Sequence, residues 1–254
     1  GKLQWSHGVK TRYDTVLGGV GPRATPTIDE QGMVYANGAT GILRCIDGNT
    51  GKLVWQKDIL KELGISKSHD AAAVMYGRSN SPLRYDDYVV VAGGAWAEKP
   101  GDRLDASLVA FDAATGELAW RGGDDQIGYA SPILGKLDGE EQVITVNEAT
   151  VSGHDPTNGK KLWQFTWGHP GASAADSNNS QPIVVGEDEL FVSKSYGVGA
   201  AVMQIFKADS GDWSVSEIWS DTSVLKTKFT NVIINDGYVY GLSDGILECV
   251  DLAT

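Results

Sequence analysis

Three residues before a position that is proline in four of its five copies, the chain carries Arg23, Ser79, Tyr129, Asn179 and Phe229. Arg78, Asn80, Asn178 and Lys228 flank the same recurring place. Guanidinium and ammonium groups pair with carboxylate or phosphate, while amide, hydroxyl and phenol groups fix the orientation of a polar ligand. Arg23, Arg78, Ser79, Asn80, Tyr129, Asn179 and Lys228 are therefore the candidate ligand-binding set, able to hold an anionic or polar ligand or to order water in a polar channel.

Other chemistry is poorly supplied. His7, His69, His154 and His169 lack paired metal spacing. His154 stands where other copies carry Ile46, Phe111, Phe206 and Val250, so it reads as a packed ring; His69 and His169, on long connections, are the better functional histidines. Asp124-Asp125 and Asp138-Gly139-Glu140-Glu141 lack the alternating oxygen ligands of a calcium loop. Gly19-Val20-Gly21-Pro22-Arg23-Ala24 fits a dinucleotide pattern on paper but leads into a strand, not a helix. No nucleophile elbow, phosphate loop or zinc cluster is present, and neither a catalytic residue nor a metal ligand is assigned.

The elements that must position these residues are repeats. Pro26, Pro82, Pro132 and Pro182 follow one another at intervals of 56, 50 and 50, and Val232 takes the place 50 further on. In phase with them run Asp47 to Trp55, Asp112 to Trp120 and Asp155 to Trp163, each of the form D-x-x-[TN]-G-x-x-x-W. A fourth copy, Lys207 to Gly211, loses the aspartate from its place and delays its Trp219; the first half of a fifth is Asp251 to Thr254, and Gly1 to Trp5 is a second half. A period near 50 denotes a propeller or another stacked array, whose units bury their faces only against neighbours.

Each unit reads as four short strands rich in Val, Ile, Tyr and Trp; in the second they are Asn80 to Arg84, Tyr88 to Ala92, Ser107 to Asp112 and Glu117 to Trp120. Four antiparallel strands per repeat make a propeller blade. The expectation is an all-β single domain over 1–254, with blades at 23–55, 80–120, 129–163, 179–219 and 228–251 plus 1–5. The turn aspartate can accept backbone amides, the glycine can take positive φ, and the tryptophan can fill the wedge between blades. Lys57 to Gly64, with Ile59, Leu60 and Leu63 at helical spacing, predicts a short helix. Cys45 and Cys249 occupy equivalent points of separate blades, too far apart to bridge, and are expected to be free, buried thiols.

A net charge of −12 argues against nucleic acid, which needs basic surface. No apolar run reaches the length of a membrane helix. The chain opens in mid-motif, so the lack of a leader says nothing about compartment.

These tandem D-x-x-T-G-x-x-x-W copies on a four-stranded repeat resemble the quinoprotein propellers, the PQQ-like (pyrroloquinoline-quinone-like) β-propeller repeat family. Gly21 to Ile28, Val34-Tyr35 and Gly38 to Leu43 are similar to bacterial PQQ-binding-like repeat proteins, many of them exported. The resemblance implies seven or eight blades, of which this chain would be a piece; the other reading is a closed five-blade ring in which Gly1 to Trp5 supplies the outer strand of blade five. One branch of the family holds quinone-dependent alcohol or sugar dehydrogenases, with PQQ and Ca²⁺ over the propeller axis, a platform of adjacent cysteines and an aspartate base. Another holds the scaffold lipoprotein of the outer-membrane β-barrel assembly machine, which binds protein partners without a cofactor. This chain has no adjacent cysteines, and its tryptophans outside the repeat, Trp96, Trp167 and Trp213, are open to quinone stacking or to loop packing. The reading is a non-catalytic binding or scaffold module, exported to the periplasm or cell surface, with no cofactor and with a protein partner or small polar ligand at the channel mouth. Quinone-dependent dehydrogenation and carbohydrate binding through Trp96, Trp167 and Tyr196 are the alternatives.

Overall fold

The computed structural model describes residues 1–94, 104–168 and 177–253, and in them the fifty-residue period becomes a row of antiparallel sheets. The first contains Thr27–Ile28, Met33–Asn37, Ile42–Asp47 and Leu53–Asp58. The second contains Leu83–Tyr85, Tyr88–Ala92, Leu108–Asp112 and Leu118–Gly122, and the third Ile133–Leu137, Glu140–Val146, Thr150–His154 and Lys161–Thr166. Ile183–Val185, Glu189–Lys194, Gly199–Lys207 and Trp213–Asp221 form the fourth. The fifth has three strands among the described residues, Ile233–Asn235, Tyr238–Ser243 and Ile246–Asp251. The strands of each sheet follow one another in chain order, as short hairpin connections require.

The innermost strands begin later than the sequence predicts, at Leu83 rather than Asn80 in the second sheet. The residues before each proline are used between sheets instead. Ser81 Oγ accepts from Thr25 N at 3.0 Å, Ser131 Oγ from Ser81 N at 2.8 Å, and Asn231 Oδ1 from Gln181 N at 2.9 Å. Proline, which has no N–H to offer a ladder, follows each of the first four of these positions.

The outer ends are locked by the turn and the tryptophan. Asp112 Oδ1 accepts from Ala114 N at 3.0 Å and Thr115 N at 2.7 Å; the Thr115 amide, chief among these bonds, holds the carboxyl below its ordinary pKa. Gly116 follows with φ of +72°, and the Trp55 ring of the preceding sheet lies on it, its Nε1 donating to Ala113 O at 2.8 Å. Trp5 and Trp219 donate in the same way to Gly48 O and Leu252 O at 2.7 and 2.8 Å. Trp163, whose following turn has drifted, instead donates through Nε1 to Gln142 Oε1 of its own sheet at 2.6 Å. Burying such a ring removes ~200 Å² from water, worth about 5 kcal/mol at ~25 cal/mol per Å².

Alternation along the strands sends one set of side chains to each neighbouring sheet. Tyr35, Leu43 and Cys45 of the first sheet share a core with Val89, Val91, Val109 and Phe111 of the second. Val90, Leu108 and Ala110 continue to Val143 of the third. The predicted helix is α1, Ile59–Leu63, with Asp58 as N-cap and Gly64 at φ +69° closing it; α2, Lys67–Ala73, follows. No described helix is long and apolar enough to cross a membrane.

Two expectations are corrected. The sheets do not close into a ring, and Gly1 to Trp5 does not complete the fifth sheet: among the described residues that sheet keeps three strands and residues 1–5 pair with none of them, while Trp5 docks on the turn of the first sheet. Cys45 is a buried free thiol, but Cys249 is exposed. Both lie on the face that looks toward the following sheet, and the fifth sheet has none in the described residues, so Ile233 and Leu247 beside Cys249 are each 71% exposed.

Candidate functional site

Arg23, Ser79, Tyr129, Asn179 and Phe229 all line a single cavity of about 420 Å³ where the inner ends of the sheets converge. Tyr76, Tyr196, Ser177 and Leu17 complete much of its wall. The segments leading into successive sheets are also bonded to one another. Arg23 Nε donates to Tyr76 O at 3.0 Å, Ser79 Oγ to Tyr129 O at 2.9 Å, Tyr129 N to Asn178 O at 2.9 Å, and Asn179 Nδ2 to Lys228 O at 2.6 Å. These bonds run sheet to sheet along the mouth and fix the spacing of the aromatic rings within it.

Tyr129 is nearly buried, and that burial pushes its phenol up to about 12, so it stays protonated at neutral pH. Its oxygen accepts from Tyr76 N at 3.4 Å, and the two rings pack at 5.6 Å between centroids. Arg23 lies 5.7 Å from the Tyr13 ring and donates through Nη2 to Gly19 O at 2.8 Å. Phe229, 76% exposed, stands at the open end of the row.

The flanking candidates fall elsewhere. Arg78 is fully buried, pairs with Asp70 at 2.7 Å, and donates to Gly93 O at 2.6 Å and Ala92 O at 3.1 Å. Asn80 Nδ2 donates to Ala130 O at 2.6 Å and Gly128 O at 3.2 Å, tying the second lead-in to the third. Lys228 is exposed, with Nζ 3.0 Å from Asp244, which raises its pKa. None of the three lines the cavity. His154 is the packed ring its position implies, Nδ1 3.0 Å from Gly159 O and Nε2 2.9 Å from Ser152 Oγ. Trp167 is buried in the core, while Trp96 and His169 lie outside the described residues.

Two contributors escape a reading by period. Tyr76 lies between α2 and the second sheet, and Leu17 tips a two-stranded ribbon, Asp14–Thr15 with Gly19–Val20. Neither has a counterpart in other repeats. The available signal for the ribbon was Gly18-Gly19 between short β-prone runs.

A quinone with calcium finds a poor match here. No carboxylate lines the cavity, whereas Ca²⁺ takes six to eight oxygen ligands, usually several of them carboxylate. Among the described residues, no group of three or more His, Cys, Asp or Glu could hold a metal ion.

Stacked four-stranded sheets joined by turn-and-tryptophan contacts, with a cavity at their inner ends, define a PQQ-like repeat of propeller type. The family model described as outer membrane protein assembly factor BamB matches residues 1–254, and the chain belongs to that family. BamB from Moraxella catarrhalis is 19% identical, with a TM-score of 0.51 over 90% of this chain and 58% of its own. Quinohemoprotein alcohol dehydrogenase from Comamonas testosteroni is 16% identical, with a TM-score of 0.59 over 92% of this chain and 42% of its own. A europium-containing methanol dehydrogenase is 12% identical, with a TM-score of 0.57 over 95% of this chain and 56% of its own. The chain thus spans about half the length of each structure, and the likeness is one of fold. Comparison with curated proteins finds no match.

Proposed function

We propose that the protein is a non-catalytic binding scaffold, exported from a bacterial cell, that engages a protein partner at the mouth of its sheets. The observation that carries this reading is the convergence of all five ring positions on one aromatic-walled cavity whose spacing is fixed by sheet-to-sheet hydrogen bonds. Tyr76, Tyr129, Tyr196 and Phe229 offer rigid apolar surface of the kind that dominates protein interfaces, with polar groups at the margin. The family's description as an assembly factor points the same way. Tyr129, held protonated and packed, acts as an anchor and not as a base.

The test has two arms. A photo-cross-linking residue at Phe229 is expected to capture a barrel-assembly partner supplied in purified form. The same residue at Thr115, on the outer turns, is not, and Tyr129→Ala should reduce capture by about tenfold or more, as for an interface anchor. Reconstitution with PQQ and Ca²⁺ is expected to give no dye-linked alcohol oxidation. Turnover with a bound-quinone spectrum would replace this reading with the dehydrogenase one.

A further inference from the structure

Arg44 lies on Ile42–Asp47, between Leu43 and Cys45, which both fill the core shared with the second sheet. Alternation therefore turns Arg44 to the opposite side, toward the segment that precedes the first sheet. The equivalent position in the other repeats, one before the cysteine point, is Val109, Ser152, Gln204 and Glu248.

Every polar residue at that position except Arg44 has found its partner. Ser152 Oγ is 2.9 Å from His154 Nε2 and accepts from Asn147 Nδ2 at 3.2 Å. Gln204 Nε2 donates to Asp188 at 2.9 Å, and Glu248 Oε2 accepts from Leu225 N at 2.6 Å. Arg44 Nε is buried with no acceptor among the described residues. Arg44 as a whole is half-buried, and its Nε is an unused donor on a group that stays charged, which an oxyanion can take up.

The surroundings are built for one. Arg44 borders two adjoining cavities of about 380 and 590 Å³, both also lined by Thr11, Tyr13 and Thr40. Lys10 and Lys67 line the first and Arg12 the second, a cationic neighbourhood on a chain of net charge −12. Asp70, the one carboxylate on these walls, is engaged by Arg78 at 2.7 Å. The volumes are those of small-ligand sites.

We propose that the cleft between residues 7–13 and the first sheet binds a small oxyanion-bearing ligand, a phosphate or a carboxylate, with Arg44 as its anchor and the Thr11 and Thr40 hydroxyls as further partners. This site is separate from the mouth, and its failure would leave the scaffold reading untouched. The test titrates the whole chain with inorganic phosphate and with succinate by calorimetry, which distinguishes the two kinds of oxyanion. Saturable binding of either supports the site. Arg44→Lys should weaken it by about tenfold or more, because the ammonium loses the bidentate fork. Arg44→Met should abolish it. No heat with either anion, or an affinity unchanged in Arg44→Lys or Arg44→Met, would overturn the proposal.

Discussion

Gly116→Ala tests whether the repeated turn and the repeated tryptophan are one device. Gly116 has φ of +72°, and a β-carbon built on it would lie 2.7 Å from Trp55 Cδ2, closer than real side chains tolerate. Left-handed backbone alone costs a non-glycine residue about 1–2 kcal/mol. To clear the β-carbon, the indole must also lift off the turn. It then loses its bond to Ala113 O, worth about 1 kcal/mol. Re-exposing roughly a quarter of the ring, ~50 Å², costs about 1 kcal/mol more. The expected total is about 3–4 kcal/mol. Gly139→Ala is the control, since Gly139 has φ of +80° but nothing within 4 Å of its virtual β-carbon. It should cost only the backbone part, about 1–2 kcal/mol. Urea unfolding followed by tryptophan fluorescence reads both. Repeating Gly116→Ala in a Trp55→Ala background should shrink its cost to that of the control. Equal losses at the two glycines in the parent protein would refute the argument.

Two further outcomes follow from burial. A native-state thiol reagent should modify Cys249 rapidly and leave Cys45 untouched until unfolding, because Cys45 is enclosed and burial pushes its thiol up to about 11; two fast thiols would contradict the packing of the first sheet on the second. His154, lowered by burial from 6.5 to about 4, binds its proton in the unfolded chain before it does in the native one. Stability contributed by the neutral ring is therefore complete above pH 6.5 and falls as pH drops from 6.5 toward 4, by about 3 kcal/mol in all at 1.36 kcal/mol per pH unit. His154→Phe, the residue found at Phe111 and Phe206, should flatten that part of the pH–stability profile; an unchanged slope measured by denaturant titration would place the effect elsewhere.

The period in the sequence made the sheets and the mouth legible, because a position repeated at fifty-residue spacing must recur in space once each unit stacks on the next. It located five residues of the cavity wall without any contact being known. It placed Arg78 and Asn80 too near the same mouth, although they flank Ser79 in sequence and are turned into the frame while Ser79 lines the cavity. Cys249 shows a different limit. Its residue type and its place in the repeat match those of Cys45, but Cys45 is packed against the second sheet while Cys249 has no sheet over it among the described residues. Tyr76 and the Leu17 ribbon belong to single-copy connections, where the period carries no information.

The hydrogen bonds also alter where recognition of charge belongs. At the mouth, Arg23 Nε and Nη2, Ser79 Oγ and Asn179 Nδ2 are already donated to backbone carbonyls or neighbouring hydroxyls that hold adjacent segments together. Drawing them onto a ligand would break bonds that set the geometry of the cavity itself. What remains free for contact is aromatic surface, from the nearly buried Tyr129 to the exposed Phe229, and that suits a partner's apolar side chains better than an anion. On the flank of the first sheet the balance is reversed, because Arg44 Nε makes no hydrogen bond to the frame among the described residues and is left available to an oxyanion. The polar ring expected at the mouth thus serves as its mortar, and the cationic capacity expected there belongs, on our proposal, to the flank, in a cleft that includes Pro22 and Ala24 on either side of Arg23.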